Sequence, residues 1–265
     1  MGSAGVRPSK AWRSSEAAWS HLRTARKRRA SQLLFDAPGG ALPRSDDARR
    51  FWSQRTWSEF AAVPAVSQVV LALVRAGAPL ETLGAYTAIA DDEVRHAMLS
   101  RELAERFGGY VDEVPAGLEY APRALADVND VPVHVWGLAN GCFSETVSLE
   151  LIRARHAATK HPVIRAVLAE TLKDEAVHVR VAWELAEQLW PKLPAAEKRE
   201  LRAYGEALGQ MLRRTFATSG LPARVRARER ALRERTAALG LGSVGPDEED
   251  QIVERTLMQI AARLG

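Results

Sequence analysis

Two copies of one five-residue pattern constrain the fold of this chain more than any other feature. They are Asp92-Glu93-Val94-Arg95-His96 and Asp174-Glu175-Ala176-Val177-His178, both of the form D-E-x-x-H. In a helix, residues three apart share a face, so each Glu and His can reach one metal ion. Carboxylate and imidazole ligands suit iron or manganese. One E-x-x-H is common by chance, whereas two copies on two long helices predict a metal site.

Helical periodicity accounts for most of the chain. Apolar residues recur at three- and four-residue steps, and Gly77-Ala78-Pro79, Gly108-Gly109 and Trp190-Pro191 separate the helical stretches. The predicted helices cover about 47–76, 80–107, 132–158, 162–190, 195–218, 222–238 and 246–263. No segment has the pattern of a strand hairpin. We therefore predict an all-α fold, with Pro64 as a point where the first helix is kinked or broken.

The order of these helices predicts three regions. Residues 1–45 form a basic appendage with a helix over about 11–34, residues 46–192 form a four-helix bundle, and residues 193–265 form a helical extension packed on the bundle. The basic stretches 7–29 and 224–235 are interpreted as solvated surface, because no nucleic-acid-binding module accompanies them. We therefore expect no nucleic-acid partner.

Composition favours a cytoplasmic protein. Apolar residues make up 46% of the 265 residues, enough for a sizeable core. Cys142 is the only cysteine, so no intrachain disulfide can form, which fits a reducing compartment. The N-terminus has no apolar signal region, and no run of about 18 uncharged apolar residues occurs, so we expect no membrane span.

A di-metal helical bundle needs two more glutamates, one on each of the remaining helices. Glu59 lies on the apolar face of the first predicted helix, and Glu145 lies on the third. The order along the chain is thus Glu, E-x-x-H, Glu, E-x-x-H. This internal symmetry predicts that each half of the bundle supplies one helix pair.

This order resembles that of the ferritin-like di-iron carboxylate superfamily, which includes ferritins, rubrerythrins, acyl-carrier-protein desaturases, multicomponent monooxygenases and arylamine N-oxygenases. The segments Trp57–Val63, Asp92–Ala97 and Gly141–Thr146 resemble bacterial ferritin-like domain proteins more narrowly, and the likeness covers about 47–190. It implies a ferritin-like four-helix bundle with extra N- and C-terminal helices.

The resemblance also implies a role for each site residue. Glu93 and Glu175 would bridge or chelate two ions, and His96 and His178 would each bind one through a ring nitrogen. Glu59 and Glu145 would be outer carboxylates. Asp92 and Asp174 would accept the other imidazole N–H and so orient each ring. No catalytic residue beyond the metal ligands is predicted.

Three more residues lie near these ligands along the chain: Tyr86, Cys142 and Ser148. Each could line the cavity of the site, and Tyr86 could serve as a hydrogen-bonding or redox group. Each could equally be an ordinary core residue, and the sequence leaves this open.

Three functions share these ligands. The first is an oxygen-activating oxidoreductase with two iron ions (or manganese, or a mixed pair), dioxygen as co-substrate and a small organic substrate. The second is iron handling by a ferroxidase or peroxide scavenger, and the third is an interaction module with structural metal. The sequence has no cysteine cluster for an iron–sulfur centre, which argues against rubrerythrin. Any electrons must then come from a separate reductase or from the substrate. A homodimer is also compatible with the bundle.

Overall fold

The computed structural model of this chain describes residues 41–112, 115 and 137–264. Within them the fold is all-α, without a strand, which confirms the predicted class. The predicted helix over 11–34 lies outside the described residues. The α-helices are α1 Asp46–Arg75, α2 Leu80–Arg106, α3 Thr146–Ala158, α4 Pro162–Leu189, α5 Ala195–Phe216, α6 Ala223–Ala238 and α7 Pro246–Leu264.

Helix α1 is continuous through Pro64. The Ser45 side chain accepts a hydrogen bond from the Ala48 amide at 3.2 Å, and acidic residues occupy the first turn, where the helix dipole favours them. Pro64 removes one helical hydrogen bond, but it lies on an exposed face where water can reach the freed carbonyl of Phe60. The alternative of a broken first helix is therefore wrong.

The directions of the four bundle helices follow from which ends pack together. One apolar cluster joins the start of α1 and α4 to the end of α2 and α3, through Ala48, Val163, Leu103 and Ile152 among others. A second cluster joins the end of α1 and α4 to the start of α2. Consequently α1 and α4 run one way, and α2 and α3 run the other. The two D-E-x-x-H motifs therefore lie on antiparallel helices.

The third bundle helix differs from the prediction of one regular helix over 132–158. Residues Gly137–Glu145 form a π-helix, which continues into α3 at Thr146, and 132–136 lie outside the described residues. A π-helix has a wider turn than an α-helix and is rare outside functional sites. Here it brings Gly141 so close to α4 that an added Cβ would lie 2.5 Å from the Ala182 Cβ. Glu145 is the last residue of this wide segment.

The C-terminal helices pack on the second half of the bundle. Leu208 and Leu212 of α5 and Val253 and Ile260 of α7 share a core cluster with residues of the π-helix, α3 and α4. Between α6 and α7, the Leu241 carbonyl accepts a 3.0 Å hydrogen bond from the Trp52 indole, which ties this region to α1 as well. The predicted boundary between bundle and extension, at 192–193, stays a prediction.

A buried ion-pair network joins α3 to the two last helices. The Glu249 carboxylate, fully shielded from solvent, accepts hydrogen bonds from Arg155 Nε at 3.0 Å and Nη2 at 2.7 Å. Its other oxygen accepts from Arg233 Nη1 at 2.5 Å. Buried charges are tolerated only when paired in this way, so docking of α6 and α7 fixes the position of α3.

Among the described residues, α1 is the one helix long and apolar enough to cross a membrane by length and composition alone. In the bundle, its Val66, Val69 and Leu73 are buried in the core, and Glu59 is buried as well. The apolar stretch of α1 that passes this test is 28% buried.

Candidate metal centre

The six predicted ligands meet at the middle of the bundle. One group of ligand atoms comes from Glu59, Glu93, His96 and Glu175, and a second comes from Glu93, Glu145, Glu175 and His178. Within each group the atoms lie within 4.8 Å of one another. Glu93 and Glu175 belong to both groups, so these two carboxylates can bridge two metal ions. None of the six is more than 7% exposed.

One nitrogen of each histidine faces these carboxylates. His178 Nδ1 lies 3.3 Å from Glu93 Oε1 and 3.4 Å from Glu145 Oε2. His96 Nδ1 lies 3.6 Å from Glu175 Oε1 and 3.8 Å from Glu93 Oε2. Each imidazole therefore faces its own outer position and the shared pair of glutamates.

The other nitrogen of each histidine faces an aspartate of the opposite motif. His96 Nε2 lies 3.2 Å from Asp174 Oδ2, and His178 Nε2 lies 3.3 Å from Asp92 Oδ2. This crossing follows from the antiparallel helices, because each Asp lies four residues before the His of its own motif. An ionised carboxylate only accepts hydrogen bonds, so Nε2–H is the donor to the aspartate, and Nδ1 is left as the nitrogen that can bind a metal ion.

Two arginines, Arg55 and Arg95, complete the buried charge of the site. Arg55 forms an ion pair with Glu59 one helical turn away, and both side chains are under 10% exposed, at 8% and 6%. Arg95, inside the first motif, forms an ion pair with Asp174 and lies 3.6 Å from Asp92. Arg95 therefore steadies both of the aspartates that face the histidines.

The pKa values of the metal-free ligands diverge. Burial would raise the pKa of Glu93, but hydrogen bonds from His178 and His96 outweigh it and lower that pKa to about 2. Burial, with the nearby charges of Glu145 and Glu93, raises the pKa of Glu175 well above its usual range. Burial also raises the pKa of Glu59, which Arg55 offsets only in part. Metal binding at Glu175 therefore competes with a proton that this carboxylate holds more tightly than usual.

The charge of the donor set fits two divalent ions. Four glutamates and two aspartates, all ionised, face two guanidiniums, and with neutral imidazoles this leaves four negative charges. Two divalent cations neutralise them, which removes the cost of burying like charges together. Among the described residues, His96 Nδ1 and Glu175 Oε2 are buried without a hydrogen-bond partner. A metal ion would satisfy these atoms, which otherwise cost about 1–3 kcal/mol each.

The three residues left open by the sequence have different surroundings. Tyr86 is 2% exposed, and its hydroxyl lacks a hydrogen-bond partner among the described residues, 3.5 Å from where a Gly141 Cβ would lie. Burial, together with the neighbouring Cys142 and Glu145, raises the pKa of Tyr86 well above its usual value. Cys142 packs in the cluster facing α5 and α7, where burial raises the thiol pKa. Ser148 is half-buried on α3.

A comparison with known protein families supports a di-metal site in this bundle. The family model described as p-aminobenzoate N-oxygenase AurF matches residues 71–244. The chain belongs to the p-aminobenzoate N-oxygenase AurF family. This is a ferritin-like di-iron oxygenase family, so the chain is an enzyme of the di-iron oxygenase kind, and the resemblance drawn from the motifs is confirmed. No curated protein and no solved structure matched.

The match to the AurF family covers three of the four bundle helices almost completely. It begins at residue 71, after Glu59, and includes the other five predicted ligands. It continues past the predicted boundary at 192 and through α6. Part of the C-terminal region is therefore common to this oxygenase family and is not peculiar to this chain.

Sequence reasoning missed the functional placement of Arg55 and Arg95. A signal was available, because Arg55 precedes Glu59 by one helical turn and Arg95 follows Asp92 by three residues. Both spacings put the charges on one helix face. What the spacing could not show is that Arg55 pairs with Glu59 and that Arg95 reaches Asp174 of the other motif.

Proposed function

We propose that this chain is a di-iron N-oxygenase that transfers oxygen from dioxygen to the nitrogen of a small organic amine. The observation that carries the proposal is the pair of ligand groups sharing Glu93 and Glu175. The name of the matched family, p-aminobenzoate N-oxygenase, supports nitrogen as the atom that is oxidised. Two redox-active ions held by the six ligands would supply the electrons that dioxygen requires.

The protein's own residues have three tasks in this proposal. Glu59, Glu93, Glu145 and Glu175, with His96 and His178, hold the ions. Asp92 and Asp174 accept the Nε2–H hydrogen bonds and keep each Nδ1 lone pair directed at the ligand cluster.

The third task is to exclude bulk water. One apolar cluster includes Leu103 and Leu168, and another includes Ile89 and Val181. They bury the centre from the two ends of the bundle, which strengthens the electrostatic interactions within it.

Electrons must come from outside the chain or from the substrate. Cys142 is the only cysteine, so the chain cannot build an iron–sulfur centre of its own. We propose an external reductase as partner, iron as the metal and the cytoplasm as the compartment. Manganese, or a mixed pair, uses the same ligand types and is the alternative for the metal.

The test starts from the metal content of the purified full-length protein. We expect about two iron ions per chain. With a chemical reductant and ¹⁸O₂, we expect mass spectrometry to find ¹⁸O in the new N–O group of an arylamine product. A matched pair of α2 variants provides the control: Glu93→Ala should abolish both results, whereas Glu102→Ala, at a half-buried position paired with Arg106, should change neither.

Other outcomes separate the alternatives. Accumulation of many iron ions per chain, without product, would indicate iron handling. Full retention of fold and of partner binding after metal loss would indicate an interaction module. Failure to bind either iron or manganese would show that the paired motifs do not form a metal site.

A further inference from the structure

The two metal positions have different charged neighbours. The Glu59 position comprises Glu59 and His96 with the shared glutamates, and the Glu145 position comprises Glu145 and His178 with the same pair. Arg55 forms an ion pair with Glu59 through one carboxylate oxygen, Oε1, and is itself buried. Its charge is therefore held directly beside one metal position, with little solvent to screen it.

The Glu145 position lacks such a cation. In residues 41–112, 115 and 137–264, no ion pair joins Glu145 to a lysine or arginine, and Glu145 Oε2 lies 3.4 Å from His178 Nδ1. The residue one turn earlier on the π-helix is Gly141, where Glu59 has Arg55 one turn earlier on α1. Tyr86 and Cys142, which lie near Glu145, have raised pKa values and are neutral at pH 7.

Arg95 does not cancel this difference. It pairs with Asp174, which faces His96, and also lies 3.6 Å from Asp92, which faces His178. It therefore acts on the histidines of both positions. The difference in charge between the two metal positions is therefore due to Arg55.

A fixed cation weakens metal binding beside it for two reasons. It repels the incoming ion, and it already neutralises part of the charge that Glu59 would offer. Arg55 weakens metal binding at the Glu59 position whether or not Glu59 holds a proton. A divalent ion that displaces one proton still adds a positive charge next to Arg55.

We infer that the two positions differ in affinity, that the Glu145 position fills first, and that Arg55 is the residue that delays filling of the Glu59 position. This inference rests on the di-metal site of the proposed function and adds an order of loading to it. Arg55 is a positioning residue that acts through Glu59. The function of such a device is to keep a half-filled centre, with one ion, as a defined state.

The test is a titration of metal-free, full-length protein with Mn²⁺ under anaerobic conditions, followed by electron paramagnetic resonance. Bound single ions and coupled pairs give different spectra, so the readout is independent of activity. We expect the first ion to bind about ten-fold or more tightly than the second. Glu59→Ala should keep the tight ion and lose the weak one, and Glu145→Ala should do the reverse.

Two variants of Arg55 form the matched pair. Arg55→Gln removes the charge and should reduce the ratio of the affinities for the first and second ions to about three-fold or less. Arg55→Lys retains the charge and should keep this affinity gap at its parent value. If Arg55→Gln fails to fold, the Glu59→Ala and Glu145→Ala titrations still decide the order of filling.

Three results would overturn the inference. They are equal affinities in the parent protein, loss of the tight ion in Glu59→Ala, and an unchanged gap in a folded Arg55→Gln variant. A parent protein that binds neither Mn²⁺ nor Fe²⁺ would be a different failure, because it would remove the metal site of the proposed function itself.

Discussion

The two halves of the bundle each supply two glutamates, one aspartate and one histidine to the centre but hold them differently. The first half, α1 and α2, holds Glu59 on a continuous α-helix beside Arg55. The second half, made of the π-helix, α3 and α4, holds Glu145 at the end of a π-helix that packs tightly against Ala182. One half thus fixes its outer carboxylate by charge, and the other fixes it by backbone geometry. Near-symmetric ligands need not give two equivalent metal positions.

The largest expected effect comes from the residues that both halves share. Glu93→Ala or Glu175→Ala should remove both metal ions, because each carboxylate belongs to both ligand groups. Glu59→Ala or Glu145→Ala should remove one ion only. The measurement is metal content by plasma mass spectrometry. A Glu145→Ala protein that holds two ions as well as the parent would show that the π-helix supplies no ligand.

The buried network tests whether the second half depends on the C-terminal helices. Glu249→Ala leaves Arg155 and Arg233 without their carboxylate and should cost about 3–5 kcal/mol of unfolding free energy. Glu254→Ala, also on α7, breaks a partly exposed pair with Arg213 of α5 and should cost about 1 kcal/mol or less. Urea unfolding measures both variants. If the two variants lost similar amounts of unfolding free energy, burial of the Glu249 network would add nothing to stability.

The aspartates give a smaller and more local effect. Asp174→Asn should weaken binding at the Glu59 position, and Asp92→Asn should weaken binding at the Glu145 position, each by about ten-fold. The reason is that each carboxylate fixes the ring of a histidine on the opposite helix. Mn²⁺ titration of each variant checks this. If Asp174→Asn weakened the Glu145 position instead, the crossed pairing would be wrong.

A drop in pH should have the smallest effect on metal affinity near neutral pH. It should affect both metal positions, because Glu175 belongs to both ligand groups. The pKa of Glu175 is raised in the metal-free fold, so this carboxylate binds its proton more tightly than in the unfolded chain. Metal binding must release that proton, and affinity should therefore fall as pH drops below the raised pKa. Isothermal titration in buffers of different ionisation enthalpy counts the released protons. Absence of proton release from Glu175 over the whole pH range in which the protein stays folded would contradict the raised pKa.

The raised pKa of Glu175 also determines how its contribution to folding stability changes with pH. A raised folded-state pKa means that Glu175 contributes stability below its unfolded value near 4.5, and that this contribution is lost as pH rises through the folded value. Glu93 has the opposite sign, because its lowered pKa adds stability above the unfolded value that is lost as pH falls toward about 2.

Much of the centre could be predicted from the sequence, because helical spacing is local information. The i and i+3 positions within each D-E-x-x-H motif put Glu93 with His96 and Glu175 with His178 on one face. The crossed partners of the aspartates could not be predicted in this way. Asp92 lies one turn from His96 in its own helix, and only the antiparallel packing of α2 on α4 brings it to His178.

The π-helix could not be predicted from the sequence either. Over the nine residues from Gly137 to Glu145, the patterns expected for α- and π-helices barely differ. The wide turn fits a close approach in the fold, that of Gly141 to Ala182, which are 41 positions apart in the chain. A lone glycine in a helical stretch does not reveal that contact.

The Arg155–Glu249 pair has a consequence for how the chain folds as it is made. The two residues are separated by 94 positions, so at a usual rate of about 5–20 residues per second Glu249 leaves the ribosome roughly 5–20 s after Arg155. During that interval α3 carries a cation destined for the interior but lacking its carboxylate. We therefore expect the half of the bundle that supplies Glu145 and His178 to pack late, and the metal centre to be completed after α7 has been synthesised.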